Sequence, residues 1–365
     1  MARGRNSGGR ATIRDVAERA SVSVATVSRI LSGSYTAPPE THERVMQAVH
    51  DLDYVVNSNA RSLSAPSGLV AMIVNDITSP FFMNIASGVE EQAVADGRVC
   101  LVSSTQGVPE RELSMINLMR QRGVDAVLLV GGMAEDQEHL AELAAAAQGM
   151  ERAGSRLVLC GRPWNGPQAP LDVVECDMEN GAFAATSHLL SAGHTRVAHL
   201  AGPHEFSIAG QRLAGYGRAL DAYGITPDPA LVAESDMTRE SGYEAARHLL
   251  TDTDATAVFC ANDLSAAGAI AAARDLGRSV PDDLSVVGFD DIPLAEDLYP
   301  KLTTVHVPQQ ELGRSATRLA LHRRATDPPQ RRVVLGSHIV VRDSVAPPAA
   351  LNGTGRALKV KETAR

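Results

Sequence analysis

Two sets of side chains in this 365-residue chain have types and spacings that could do chemistry. The first lies between Thr12 and Gly33, in TIRDVAERASVSVATVSRILSG. Read as two short helices joined by a tight turn, it buries Ile13, Val16 and Ala17 from one and Val27, Ile30 and Leu31 from the other. Ser23 is placed to cap the second helix. Ala25, Thr26, Ser28 and Arg29 then face outward, a small, hydroxylated surface ending in a guanidinium. Such a face can approach phosphates closely and read a base edge. An ordinary helical hairpin would show the same spacing, and spacing alone does not separate the two.

The second set is Asp76, Phe82, Arg162, Trp164, Arg212, Asn262 and Asp290, each following or flanking a strand-like apolar run. An aromatic plate covers the CH face of a sugar, and forked Arg, Asn and Asp groups take its vicinal hydroxyls. Several of these residues also have a plain structural use. Phe82 could pack between layers, Trp164 could anchor a loop, and Asp290 with Asp291 could form a turn or cap. Arg212 could simply hold Asp290, and Asp263 reads as a helix N-cap.

Catalytic and metal chemistry find little footing. GxSxG, GxxxxGK[ST], HExxH and GxGxxG are all missing from the sequence. His194, His199 and His204 are spaced by five and share no helix face. Cys100, Cys160, Cys176 and Cys260 form no CxxC pair, and three fall inside apolar runs, as buried thiols in a reducing compartment would. No catalytic residue, metal ligand or cofactor is expected, and the chain reads as a non-enzyme.

The second set needs a scaffold, and the period changes at Leu69 to supply one. LVAMIVND, RVCLVSS, AVLLVGG and RLVLCGR alternate with helical segments at 82–95, 111–122 and 138–148. DVVECD, RVAHLAG, AVFCAN and SVVGFDD follow, with helices at 181–191, 212–222, 239–250 and 264–276. Strand–helix alternation builds parallel sheets, and two such series predict two doubly wound lobes in an α/β fold. A late helix at 309–323 and a strand at 332–342 should return to the lobes. Ligands of open α/β sheets sit beyond the carboxyl ends of the strands, where the second set lies.

Composition agrees with globular structure: 44% hydrophobic, 21% charged and 4% aromatic. The net charge of −9 splits unevenly, about +2 over residues 1–64 and −11 over the remainder. The basic excess sits at the presumed DNA end. No apolar run approaches the ~20 residues needed to cross a bilayer. The basic start, MARGRNSGGR, lacks the apolar stretch of a signal peptide, so a cytoplasmic location without membrane contact is expected.

The segment Thr12, Ile13, Asp15, Val16, Ala17, Ala20, Val22, Ser23, Thr26, Val27, Ser28, Arg29 and Leu31 resembles the headpiece of the LacI/GalR family of bacterial transcription regulators. The resemblance runs on to about Val345. It implies a three-helix headpiece with helix-turn-helix over 12–56, a third helix over 40–52, and a hinge helix over 57–67. A two-lobe core over 68–346, like that of periplasmic sugar-binding proteins, follows between a basic tail (1–11) and a tail at 347–365. The first lobe should span about 68–168 plus 302–330, and the second about 170–300 plus 331–346. By resemblance Thr12, Ser23, Val24, Ala25, Thr26, Ser28, Arg29, Asn57, Ala60 and Leu63 meet a near-palindromic DNA operator. Leu63 would wedge into the minor groove and Ala60 would let two hinges approach. Phe82, Arg212, Asn262 and Asp290 match residues that hold the effector, usually a sugar. The expected protein is a homodimeric repressor under effector control. The alternative is a solute-binding protein for a sugar transporter, which predicts a signal peptide and no helix-turn-helix. Four positions depart from the pattern, among them Val56, where Pro is usual, and Met178, where Asn is frequent. Ser21 stands where Gly is usual, so either it tolerates a left-handed backbone or the turn differs slightly. Pro38 replaces a capping Ser, leaving Thr36 or Glu40 to compensate.

Overall fold

A computed structural model describes residues 11–31, 35–52, 54, 67–132, 136–324 and 326–348. The chain divides into two compact units, Met1–Ser67 and Gly68–Arg365. Asn57, Ala60 and Leu63, and with them the expected hinge helix, lie outside the described residues.

In the first unit α1 (Ile13–Ala20) starts with a reciprocal cap. The Asp15 N–H donates to the Thr12 hydroxyl at 3.4 Å and the Thr12 N–H donates to the Asp15 carboxylate at 2.7 Å. Ser21 ends the helix at φ 55, a left-handed conformation. Ser23 caps α2 (Val24–Leu31) by accepting from the Thr26 N–H at 3.1 Å. No side chain caps α3 (Pro39–Asp51), so neither Thr36 nor Glu40 takes that part. Pro39 at its first position has no N–H to satisfy, which lessens the need. Val16, Ala17, Ala20, Val27, Ile30, Val45, Ala48 and Tyr54 form the core of this small bundle.

The second unit alternates strands and helices through β1 (Leu69–Val74), α4 (Pro80–Ala95), β2 (Val99–Ser104), α5 (Pro109–Gln121), β3 (Ala126–Val130), α6 (Gln137–Arg152) and β4 (Arg156–Cys160). It continues through β5 (Leu171–Cys176), α7 (Met178–Ser191), β6 (Val197–Ala201), α8 (Ser207–Ala222), β7 (Val232–Glu234) and α9 (Arg239–Asp252). Then come β8 (Ala257–Cys260), α10 (Asp263–Asp275), β9 (Ser285–Asp290), α11 (Leu294–Asp297), β10 (Thr303–His306), α12 (Gln309–Leu321), β11 (Arg332–Leu335) and β12 (His338–Val340). Among the described residues the strands make two six-stranded sheets, ordered β11-β5-β4-β3-β1-β2 and β12-β10-β9-β8-β6-β7. All pairings are parallel except β10 with β12.

The assignment of strands to lobes differs from expectation in three places. The strand β5 belongs to the first sheet, not the second, because it pairs with β4 and β11. The strand β10 lies in the second sheet, beside β9. The single strand expected over 332–342 breaks at Gly336–Ser337, and its halves enter different sheets. Periodicity identifies a strand but says nothing of its neighbours, which distant partners choose. Here the Arg331 guanidinium grips the buried Asp172 carboxylate at 2.7 Å and fixes β11 beside β5. The chain therefore crosses between lobes at Asp177, at Val307–Pro308 and at Gly336–Ser337.

Helix α12 returns to the first lobe and packs on α4. The contact is backbone to backbone: a Cβ at Gly88 would sit 2.0 Å from the Gln310 carbonyl oxygen, and one at Gly313 2.2 Å from that of Ile85.

Candidate functional site

The outward face of α2 is built as its spacing required. Val27 and Ile30 are buried, Ser23, Val24, Ala25 and Arg29 are exposed, and Thr26 and Ser28 are half-buried. The Arg29 Nε donates to the Ala25 carbonyl at 3.3 Å, and its guanidinium lies 5.5 Å from the Tyr35 ring centre. Thr12 and Ser23 spend their hydroxyls on helix caps, so their first task is to orient α1 and α2.

In the second unit a cavity of about 610 Å³ opens between the two lobes, within the ~300–1,000 Å³ usual for small-molecule sites. Asp76, Phe82, Arg212, Asn262 and Asp290 all line it. Phe82 lies in the first turn of α4, packed edge-on to Phe81 with ring centres 5.5 Å apart. Its ring rests on Gly131, where a Cβ would come within 3.0 Å of the ring. Phe206 rests in the same way on Gly132, so aromatic rings face the cavity from both lobes.

Arg212 sits in the second turn of α8, which begins at Ser207; it does not open the helix as the sequence suggested. It is almost wholly buried and stacks on the Phe289 ring at 4.1 Å. Its Nη1 donates to the Ala261 carbonyl at 2.6 Å and its Nη2 to Asp290 Oδ1 at 3.2 Å. Its Nε is buried and has no hydrogen-bond partner among the described residues. Asp290 ends β9 at φ 104, a left-handed conformation that costs an L-residue of order 1–3 kcal/mol and recurs at ligand sites. Burial pushes its carboxyl up to about 7 against the pull of Arg212. Burial also raises Asp263, helped by the Asp290 charge.

A sign follows for stability. A carboxyl raised in the folded state stabilises it most below the unfolded value near 4, and that contribution is lost as pH rises through about 7. Urea midpoints should therefore fall from pH 5 to pH 8, and fall less in Asp290→Asn. Equal slopes in both proteins would show that Asp290 titrates normally.

Asn262 is the N-cap of α10, accepting from the Ser265 N–H at 2.9 Å and donating to the Met237 carbonyl at 2.8 Å. The cap expected at Asp263 is thus one residue early. Asp263 instead ties two strand ends together, accepting from the Ile292 N–H at 2.8 Å and the Thr304 hydroxyl at 2.5 Å.

Arg162 and Trp164 do not line the cavity. Arg162 is 1% exposed and forms a fork with Glu112, Nη1 to Oε2 at 3.1 Å and Nη2 to Oε1 at 3.0 Å. His139 completes the cluster at 3.3 Å from Glu112. Trp164 packs on the first-lobe core and donates from its indole N–H to the Pro167 carbonyl at 3.1 Å, anchoring its own loop. Both follow a strand's carboxyl end, which was the signal used; pairing and packing turned them away.

The sequence reading missed Phe206, which follows β6 and met the same positional criterion. It also missed Asp236 and Thr238, because the three-residue strand β7 that presents them is too short to show a period. His194 and His199 are buried. His199 stacks on Phe259 at 4.7 Å and is pushed down to about 4 by burial. His204 is exposed beside Glu205 and Glu234, at a hydrogen-bonding 3.1 Å from the latter.

Comparison with known proteins bears on both sites. Residues 12–57 match the model for bacterial regulatory proteins of the lacI family, and residues 186–345 that of a periplasmic binding protein-like domain. The transcriptional regulator DegA of Bacillus subtilis (strain 168) is 33% identical over 92% of this chain and 98% of its own. A solved complex of the transcriptional regulator CelR with cellobiose is 34% identical, covering 92% of this chain and 100% of that one, with a TM-score of 0.68. The lac repressor dimer bound to operator and an anti-inducer is 26% identical over 93% and 100%, with a TM-score of 0.77.

Proposed function

Since the chain belongs to the lacI family of bacterial regulatory proteins and is a DNA-binding transcriptional regulator, we propose that it is a homodimeric repressor controlled by a sugar held between its lobes. The observation that carries this is the inter-lobe cavity, with Phe82 on one wall and the Arg212–Asp290 pair on the other. The arrangement suits a polyol: a ring to stack on, and fixed acceptors and donors for hydroxyls. Effector and operator then affect each other's affinity reciprocally. On this reading the protein works in the cytoplasm, where its DNA is, and catalyses nothing. No helix among the described residues is long and apolar enough to cross a membrane.

A second copy has a face to use. Val94, Val99, Leu101 and Val102 on α4 and the edge strand β2 are exposed, an apolar group that water disfavours. A solute-binding protein for a transporter, the alternative, has no use for a DNA-binding headpiece.

The test is a gel shift on DNA flanking the protein's own gene, with and without a panel of sugars. A specific complex released or tightened by one sugar is expected, and indifference to every sugar would sink the effector reading. Arg29 gives a sharper measure of the DNA half. Its planar fork suits guanine O6 and N7, so Arg29→Ala should cost ~1–3 kcal/mol on the cognate operator and relax preference at one base pair. An equal loss on random DNA would reduce Arg29 to a phosphate contact.

A further inference from the structure

The cavity carries a charge pattern that narrows what can enter it. Its described lining includes three carboxylates, Asp76, Asp236 and Asp290, and one cation, Arg212. That cation is committed: its charge is paired with Asp290 and its two Nη groups already donate within the protein.

Asp76 and Asp236 come from opposite lobes and stand in matching local structures. Each lies two residues beyond a strand, after β1 and β7, and each opens an Asp-x-Thr turn. In Asp76-Ile77-Thr78 the carboxylate Oδ1 accepts from the Thr78 N–H at 2.8 Å, and the Thr78 hydroxyl lies 2.8 Å from both carboxylate oxygens. In Asp236-Met237-Thr238, Oδ1 accepts from the Thr238 N–H at 2.9 Å and hydroxyl at 2.6 Å. The Asp236 turn bonds both use Oδ1, which leaves Oδ2 for a ligand. Met237 within that turn has φ 65 and is held by the Asn262 amide, so the turn is fixed before any ligand arrives.

Resting on the effector reading above, we propose that Asp76 and Asp236 select an uncharged sugar and exclude acidic ones, sugar phosphates and uronates alike. A carboxylate on each lobe accepts hydroxyl protons from a neutral ligand and so favours closure around it. An anion in the same place meets like charge from both walls and, among the described lining residues, only a cation already paired with Asp290, which is discrimination by repulsion. The aromatic faces of Phe82 and Phe206 fit the same ligand, since they stack on CH faces irrespective of charge.

The probes are neutral sugars with their acidic counterparts: glucose with glucose 6-phosphate and glucuronate, trehalose with trehalose 6-phosphate, cellobiose with cellobiose 6-phosphate. Binding is measured on the full chain by calorimetry, for the wild type and for Asp76→Asn/Asp236→Asn. Asparagine keeps Oδ1 for each turn, so the variant removes charge while retaining the local fold, and a thermal melt checks this. At least one neutral sugar should bind, with its acidic counterpart ~100-fold weaker or more. In the double variant that ratio should shrink by ~10-fold or more. An acidic sugar that binds as tightly as its neutral partner overturns the proposal while leaving an effector site in place. An unchanged ratio in a well-folded double variant overturns it too, reducing both aspartates to turn formers. Failure of every probe to bind overturns the sugar reading of the cavity and this proposal with it.

Discussion

Arg212→Ala lowers the stability of the Gly68–Arg365 unit by about 3–5 kcal/mol and abolishes the effector response. Above the Asp290 pKa of about 7 the cost is that of an orphaned charge: Asp290 is 6% exposed, and without Arg212 its carboxylate has lost its cationic partner. Urea unfolding measures it. Combining Arg212→Met with Asp290→Asn should restore most of the stability, because neither member is then a buried ion, and Asn tolerates the positive φ at position 290. On the proposed reading the effector response stays lost in the double variant, since two of the polar groups proposed to meet the ligand are changed. A double variant as unstable as the single one would show that packing against Phe289, not charge, is what Arg212 supplies.

The second large effect lies in the first lobe. Glu112→Ala removes the carboxylate paired with the Arg162 guanidinium, which is 1% exposed, and about 3–5 kcal/mol should be lost here as well. Acid titration gives an independent measure. Burial raises the Glu112 pKa, but the Arg162 charge and the His139 hydrogen bond outweigh it and take the carboxyl down to about 2. The folded value lies below the unfolded one, so the stabilisation is full above about pH 4.5 and fades as pH falls toward 2. Glu112→Gln should lack that part of the acid sensitivity, and an unaltered acid transition would remove Glu112 from the account.

What the sequence revealed, and what it hid, divides along the range of the interactions. Local chemistry was legible: of the two options at Ser21 the left-handed backbone is the one taken, Ser23 caps α2 as expected, and the apolar periods located the helices and most strands. Five of the seven cleft candidates line one cavity because strand ends in an α/β fold point to one edge. The failures were long-range. Nothing near Arg162 says that a glutamate 50 residues earlier will neutralise it. Nothing in DVVECD says that β5 pairs with β11 and not with β6. Asp236 was hidden for a different reason, the brevity of β7, which leaves no alternation to read.

The three crossings between lobes also set a timetable for synthesis. The first sheet has β5 by residue 176, but its edge partner β11 ends at residue 335. At ~5–20 residues per second the ribosome needs roughly 8–30 s to deliver that strand. Until α12 arrives, the face of α4 around Gly88 has no cover. A nascent chain must therefore keep an open sheet edge and a bare helix face while the whole second lobe is made. Neither lobe can be released by a single cut, and a chain stopped before residue 309 lacks the helix that closes the first.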